Sequence, residues 1–366
     1  MPQRLKFCID AGPGGWVRAQ QSGDAITIRE AVRKSIDLGI AADRAGFDSL
    51  WLLEDPDGWD AFAALGAIAR ETESIRLGTG VVNPYYRHPA QIASSISTLD
   101  FLSNGRAFLG LGRGQTEWYQ RALGMDVGSP TTRLTETISL LRQWWSETMF
   151  ASSPPTMTEL GVQGWERELR PLQDRVPIYL AAVGPIAMNI AAHWADGVIF
   201  NDLTSFDFMR DQIAHVKQIA AEVGRDPEAL TFNARCQVTI TDDPEALYER
   251  RKTTVAMIHS LPGMDRLLQS DTHDIAQIIS DVRQAMHVDD VLERGGAFSA
   301  LRREGNLEKA KAAIPTDLMS ELVVAGNVSG VREQLSQLAD IGVTHVFLAA
   351  PKELGELSGI VQSLQL

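Results

Sequence analysis

The sequence is poor in the features that mark secreted, membrane-bound and disulfide-rich proteins. Its 366 residues include two cysteines, Cys8 and Cys236, which fall inside predicted strands far apart in the chain. We therefore expect two buried thiols rather than a disulfide. No apolar run approaches the ~18 residues of a membrane span, and the opening MPQRLKFCID lacks the apolar core of a signal peptide. These absences favour a reduced, cytoplasmic protein that has no membrane partner.

Positive charge is also scarce. The formal net charge is −13, and the chain has no run of Lys and Arg of the kind that follows a phosphate backbone. We therefore expect no nucleic-acid partner. Local groups must hold any anionic cofactor against the overall field of the protein.

Several familiar catalytic motifs are missing. The sequence contains no HExxH, CxxC, GxSxG or Walker motif. Its seven histidines are scattered without ligand spacing, so we expect no metal site. No GxGxxG follows the first predicted strand, which disfavours a nicotinamide-binding Rossmann domain.

Short apolar runs alternate with amphipathic stretches along most of the chain. Eight strands are predicted, at residues 5–10, 49–53, 75–80, 107–111, 176–182, 197–200, 230–240 and 343–349. Repeated strand–helix alternation predicts an α/β fold, a single (β/α)8 TIM barrel over residues 1–366. A doubly wound sheet is the alternative, but most such sheets have fewer units. Residues 151–175 lose periodicity and are expected to cross the barrel mouth irregularly, and residues 244–325 are expected to hold a helical insertion.

Reactive groups of such a barrel lie at the C-terminal ends of its strands. That geometry selects Asp10, Glu54 with Asp55, Val81 to Asn83, Arg113 with Gln115, Val183 to Ile186, and Asn201 with Asp202. Asp10, Glu54 and Asp55 are the candidate catalytic residues. Because alternate residues of a strand diverge, Glu54 and Asp55 cannot both face the mouth of a regular strand. The alternative is that this pair belongs to an acidic loop that caps the next helix.

The loop from Gly78 to Pro89, GTGVVNPYYRHP, has the most unusual composition in the chain. It resembles the loop after the third strand of the luciferase-like flavin and deazaflavin oxidoreductases. The likeness is greatest to members that depend on coenzyme F420, such as methylenetetrahydromethanopterin reductase. It continues at AAVGPIAM, Ala181 to Met188, and at ADG, Ala195 to Gly197. Further matches extend it over most of the chain.

The resemblance implies that an isoalloxazine-type ring stacks against the loop and exchanges a hydride with a small organic substrate on its other face. It implies cofactor contacts at Gly80, Val81, Val82 and Asn83, and contacts to the phosphate side at Val183, Gly184, Pro185 and Ile186. Arg113 and Gly114 are candidates to bind the phosphate or polyglutamate tail of the deazaflavin. The alternatives are a simple loop after the strand and a structural ion pair of Arg113. A cis peptide bond is expected between Gly80 and Val81, where relatives have one.

The sequence departs from the family pattern at two positions. Relatives place an acidic residue followed by His after the second strand, whereas Glu54-Asp55 stands there, which leaves the family's proton-transfer scheme open. Val82 replaces a frequent Thr. Arg87 and His88 are expected to fix the start of the following helix, with catalysis by His88 as the alternative.

The expected function is that of an F420-dependent oxidoreductase, and a homodimer is expected. One alternative is a two-component monooxygenase that uses reduced FMN, and another is a non-catalytic flavin-binding barrel.

Overall fold

The computed structural model describes residues 4–12, 23, 25–54, 58, 60–121, 123–145, 159–162, 165 and 167–365. Strands and helices alternate through most of these ranges. The strands are β1 (Lys6–Asp10), β2 (Ser49–Leu52), β3 (Arg76–Thr79), β4 (Ala107–Leu111), β5 (Ile178–Ala181), β6 (Gly197–Phe200), β7 (Thr231–Ile240), β8 (Ala325–Gly326) and β9 (His345–Leu348).

Eight of these strands form a closed parallel barrel. Their order is β6–β5–β4–β3–β2–β1–β9–β7, and a further pairing between β7 and β6 closes the ring. In the register, Cys8 lies opposite Ser49 on one side and Phe347 on the other. The predicted (β/α)8 TIM barrel is therefore confirmed. The two-residue strand β8 was not predicted; it pairs only with the far end of β7.

The helices bury apolar faces against the outside of this barrel and within the segment between β7 and β8. They are α1 (Ala25–Ala45), α2 (Ala61–Glu71), α3 (Pro89–Leu102), α4 (Thr116–Arg121), α5 (Pro130–Trp145), α6 (Pro185–Trp194), α7 (Phe206–Glu222), α8 (Pro244–Thr254), α9 (Ile275–Met286), α10 (Val288–Glu293), α11 (Phe298–Glu304), α12 (Leu307–Ala312), α13 (Thr316–Leu322), α14 (Val328–Asp340) and α15 (Leu357–Leu364). None of the helices in the described ranges is both long and apolar enough to cross a membrane.

Local capping sets where the helices beside the mouth begin. The sequence predicts a helix from Trp59 to Thr72. The carboxylate of Asp60 accepts a hydrogen bond of 2.9 Å from the backbone N–H of Ala63, so α2 begins at Ala61, two residues later. At α3, the His88 ring accepts from the N–H of Ala90, with Pro89 in the first turn. The expectation that His88 fixes this helix start is therefore confirmed.

The barrel interior is filled by a small, largely aromatic cluster. Its buried members are Cys8, Trp51, Phe108, Tyr179, Ile199 and Phe347. The ring centroids of Trp51 and Phe108 lie 4.3 Å apart, and Val81 packs on the cluster from the mouth. This cluster fills the barrel interior below the mouth, as side chains do in barrels of this kind. We call it the aromatic floor.

The helices from α8 to α13 share a second apolar core, which includes the fully buried Leu301, Leu318 and Met286. A wide π-helical turn, Val255–His259, continues directly from α8, and a 3-10 turn, Asp265–Leu268, follows it. This part of the chain therefore forms a wall beside the C-terminal ends of β6 and β7.

Buried carboxylates anchor the described parts of the segment between α5 and β5. Glu136 accepts hydrogen bonds from the backbone N–H groups of Glu159 and Leu160. Asp100, fully buried, accepts from the backbone N–H groups of Leu172 and Gln173. The predicted irregular stretch, residues 151–175, lies partly outside the described residues.

Candidate active site

The peptide bond between Gly80 and Val81 is cis, as predicted. It lies directly after β3, where the N–H of Gly80 donates to the carbonyl oxygen of Leu52. One residue later the backbone of Val82 pairs with β4, through a bridge to Leu111. Val81 lies between these two paired residues and outside the assigned strand pairs, and its carbonyl oxygen accepts a hydrogen bond of 3.3 Å from the N–H of Glu54.

Val81 forms an apolar shelf in the mouth. Its side chain is half-buried and packs on the aromatic floor together with Ala181. Gly112, after β4, allows this arrangement, because a Cβ atom at Gly112 would lie 2.8 Å from Cγ2 of Val81 and 3.3 Å from Cβ of Ala181. We call the surface formed by Val81, Gly112 and Ala181 the shelf.

The next two predicted cofactor contacts, Val82 and Asn83, are both buried. Val82 is 1% exposed and belongs to the core between barrel and helices. The side chain of Asn83 is also buried: its amide donates to the Tyr119 hydroxyl at 3.1 Å, and its oxygen accepts from the N–H groups of Tyr85 and Tyr86. Asn83 therefore holds the loop, while Val81 is the residue of this set that presents a side chain to the mouth.

Glu54 is one half of a buried ion pair. Its carboxylate, 3% exposed, accepts two hydrogen bonds of 2.6 Å from the Arg87 guanidinium, which also reaches Asp60 at 2.7 Å. The hydrogen bonds with Glu54 raise the pKa of Arg87 above its usual value. A carboxylate held in this way joins the loops that follow β2 and β3. Asp55 lies outside the described residues.

Asp10 forms a second ion pair, which contacts the cis peptide. Arg235, on β7, donates one N–H to the Asp10 carboxylate and another to the carbonyl oxygen of Gly80. Asp10 also accepts 2.9 Å from the N–H of Gly12, and the Arg235 guanidinium lies 5.3 Å above the ring of Phe347. Burial lowers the pKa of Arg235 to about 10, a value at which it is still protonated at neutral pH.

Sequence reasoning selected Asp10 but missed Arg235. The available signal was an Arg between apolar residues of a buried strand, FNARCQVTI, because a charged residue there requires a partner. The partner could not be assigned from the pattern, since β7 has an irregular register between Ala234 and Val238 and a left-handed φ of 50° at Gln237.

The start of α6 is open to an anion. Gly184 is the N-cap residue and has no side chain to satisfy the first backbone N–H groups of the helix. Pro185 and Ile186 are exposed, and Val183 is half-buried beside them. The insertion contributes a cation here, since a Cβ atom at Gly184 would lie 3.6 Å from Nη1 of Arg266.

Arg113 and Gly114 lie across the mouth, after β4. Arg113 is exposed, and Gly114 has a φ of 57°, a conformation that favours glycine. A Cβ atom at Gly114 would lie 2.4 Å from the Tyr119 hydroxyl. Packing alone therefore explains the glycine at position 114, because Tyr119 approaches it closely. The hydroxyl of Tyr119 also accepts the hydrogen bond from Asn83.

A third polar cluster lies where the insertion meets β6. Asp202 forms an ion pair with Arg251 of α8, and burial raises the pKa of Asp202, which the arginine opposes. His259, at the end of the π-helical turn, is 0% exposed, and neither ring nitrogen has a hydrogen-bond partner among the described residues. Burial, followed by the charge of Arg251, lowers the pKa of His259 to about 3.

We expect this histidine to make the protein acid-labile. Its pKa in the folded state lies below the usual 6.5, so the folded state disfavours the proton that the unfolded chain binds. The contribution of His259 to the free energy of unfolding should be constant above pH 6.5. Below that pH the free energy of unfolding should fall by on the order of 1 kcal/mol per pH unit, down to about pH 3. Denaturant unfolding between pH 7 and 4.5 checks this. His259→Leu should flatten the slope, and the exposed control His215→Leu should keep it; equal slopes for all three proteins would contradict the prediction.

No group of three or more His, Cys, Asp or Glu side chains is placed to hold a metal in the described part of the chain. The chemistry of the mouth is therefore that of an apolar shelf, an ion pair beside it and an anion site at the start of α6.

Comparison with known proteins shows the family of the chain. Residues 6–345 match the family model of the luciferase-like monooxygenases. The chain belongs to the luciferase-like monooxygenase family. The predicted family is thus confirmed, and the match covers the barrel strands β1 to β7 and the first residue of β9.

Among curated members of the luciferase-like family, the chain resembles 5,10-methylenetetrahydromethanopterin reductase of Methanolobus tindarius. The two are 31% identical over 314 residues, which is 85% of this chain and 88% of the relative.

Two solved structures share the fold of this chain. The coenzyme F420-dependent tetrahydromethanopterin reductase from Methanopyrus kandleri has a TM-score of 0.72 at 22% identity, covering 99% of this chain and 98% of that one. The oxygenating constituent of 3,6-diketocamphane monooxygenase from Pseudomonas putida, in complex with FMN, has a TM-score of 0.58 at 16% identity, covering 100% and 96%. Both likenesses concern the fold.

Proposed function

We propose that this protein is an F420-dependent oxidoreductase that transfers a hydride between the deazaflavin and a small organic substrate. The observation that carries the proposal is the shelf: a half-buried Val81, displaced from the strand ladder onto an aromatic floor, in a chain 31% identical to a methylenetetrahydromethanopterin reductase. A flat ring requires an apolar surface of this kind, and an anionic tail requires a site such as the start of α6. The residues present fit both parts of the cofactor.

The residues of the chain bind and orient in this mechanism. When bound, the deazaflavin supplies the hydride carrier. The shelf would support the ring, Gly184 to Ile186 would hold the phosphate, and Arg113 would lie near the tail. Asp10, paired with Arg235, is suited to accept a hydrogen bond or attract a cationic substrate. Glu54 contributes by fixing the loops through Arg87.

Hydride transfer is tested by mixing the protein anaerobically with reduced F420 and candidate acceptors. We expect the absorbance of the oxidised deazaflavin to return only when protein and a suitable acceptor are both present. The second candidate is the two-component monooxygenase, supported by the FMN-containing structural relative. Oxygen consumption and substrate oxygenation with reduced FMN, without turnover of reduced F420, would favour it and contradict our proposal.

Arg266 is expected to bind the phosphate of the cofactor. Its guanidinium lies near the open N-terminus of α6, so both should contact the same anion. FMN and riboflavin differ by one phosphate and serve as matched probes. Arg266→Gln should weaken FMN binding roughly tenfold and leave riboflavin binding unchanged. An equal loss for both ligands, measured by fluorescence titration, would mean that Arg266 acts on the ring or on the fold.

We also propose the homodimer and the cytoplasmic location expected from the sequence. Cys8 and Cys236 are both free and buried, and burial raises the pKa of each thiol to about 12, as suits unreactive thiols in a reducing compartment. Sedimentation of the purified protein tests the dimer; a single species at the mass of one chain, 40.1 kDa, would exclude it.

A further inference from the structure

The ion pair between Asp10 and Arg235 has a position that structural packing alone does not require. Asp10 is the last residue of β1, and Arg235 of β7 follows Ala234, which lies opposite the last residue of β6. In the barrel, β9 separates β1 from β7. Their side chains are only 20% and 15% exposed. A charged pair so placed has strong effects on its neighbours, since few water molecules screen it.

The pair also touches the backbone that presents the shelf. Arg235 donates to the carbonyl oxygen of Gly80, and the next residue is Val81. Any ring bound against Val81 therefore lies near the Arg235 guanidinium, which is itself paired with the Asp10 carboxylate. Asp10 and Arg235 lie on different strands, and a single substitution removes either charge.

We propose that the Asp10–Arg235 pair sets how strongly this site prefers the reduced over the oxidised cofactor. This inference rests on the proposed function. A hydride carries two electrons and one proton, so its addition gives the ring one further negative charge, which persists unless a proton is also taken up. The guanidinium attracts that charge and the carboxylate repels it. With both charges present, their opposite effects on the affinity for the reduced cofactor partly cancel.

The balance predicts shifts of opposite sign. Asp10→Asn removes the negative charge and leaves Arg235 uncompensated, so the reduced form should gain affinity relative to the oxidised form. Arg235→Met removes the positive charge and should have the reverse effect. Each shift should be roughly tenfold in the ratio of the two dissociation constants, given one unit charge near the ring in a partly screened site. Asp10→Asn combined with Arg235→Met should restore a ratio near that of the wild type.

A purely structural role would give a different pattern. If Arg235 only held the Gly80 carbonyl in place, Arg235→Met would weaken the binding of both redox forms by the same factor. Asp10→Asn would then leave the ratio of the two dissociation constants unchanged. Arg235→Lys provides the matched control, because it keeps the charge and alters the geometry. Under our proposal it should keep the wild-type ratio even if both affinities fall.

The experiment is anaerobic equilibrium titration of wild type and the four variants with oxidised and with reduced F420 at mildly alkaline pH, with circular dichroism to confirm folding. Opposite shifts that cancel in the double variant support the proposal. Unchanged ratios, or shifts of the same sign, overturn it. If Arg235→Met does not fold, Asp10→Asn decides, since an unchanged ratio in that variant alone overturns the proposal. Failure of the wild type to bind F420 in either form would instead overturn the proposed function.

Discussion

Replacing Arg87 by Met is expected to lower the free energy of unfolding by about 3–5 kcal/mol. The guanidinium is 8% exposed and makes both hydrogen bonds of 2.6 Å to the Glu54 carboxylate. Without it, Glu54 stays buried with one weak partner among the described residues, the Ala61 N–H at 3.4 Å. An unpaired carboxylate in that position costs far more than a broken surface contact. Denaturant unfolding of wild type and variant at pH 7 measures the difference.

The chain offers a matched control for this substitution. Arg210 also pairs with two carboxylates, Asp207 and Asp211, but its side chain is 53% exposed. Arg210→Met should therefore leave stability nearly unchanged, because water replaces the lost partner. Equal effects of the Arg87 and Arg210 substitutions would show that the Glu54–Arg87 pair is not a buried support of the mouth.

Adding one methyl group at Gly112 is expected to weaken cofactor binding roughly tenfold, with an overpacking cost to stability of about 1–3 kcal/mol. The new Cβ would meet Cγ2 of Val81 at 2.8 Å and push it out of its place on the shelf. The backbone is not the obstacle, since Gly112 has no positive φ. Fluorescence titration of Gly112→Ala with F420 measures the change.

Gly359 supplies the comparison, because a Cβ there has no atom within 4 Å and the residue lies in α15, outside the mouth. Gly359→Ala should bind the cofactor as the wild type does. A folded Gly112→Ala protein with unchanged affinity would mean that the ring is not bound against Val81.

Much of the barrel could be predicted because its information is local. Alternating apolar runs and amphipathic stretches give the strands and helices, and Asn83-Pro84 and Gly184-Pro185 mark the loops at the mouth. Even so, the start of α2 differed from prediction, since Asp60, and not the pattern around Trp59, caps the helix. The strand β8 was missed because two residues show no periodicity.

The contacts within the site depend on partners distant in sequence, which a pattern does not identify. Glu54 and Arg87 are 33 residues apart, and Asp10 and Arg235 are 225 apart. Glu54 therefore seemed a candidate proton donor, whereas the structure pairs it with Arg87. His259 shows the same limit: after eight residues of regular α-helix it would lie roughly 80° around from Arg251. The wider π-helical turn reduces that angle and brings the two towards one face.

The measurement that tests the central claim most directly is equilibrium titration of the wild-type protein with F420 and with FMN under identical conditions. Our account places a deazaflavin on the shelf, with its phosphate at the start of α6. It predicts that F420 binds more tightly than FMN, as judged by the change in cofactor fluorescence. Tighter binding of FMN would contradict the account, and would identify the mouth as a flavin site of the monooxygenase type.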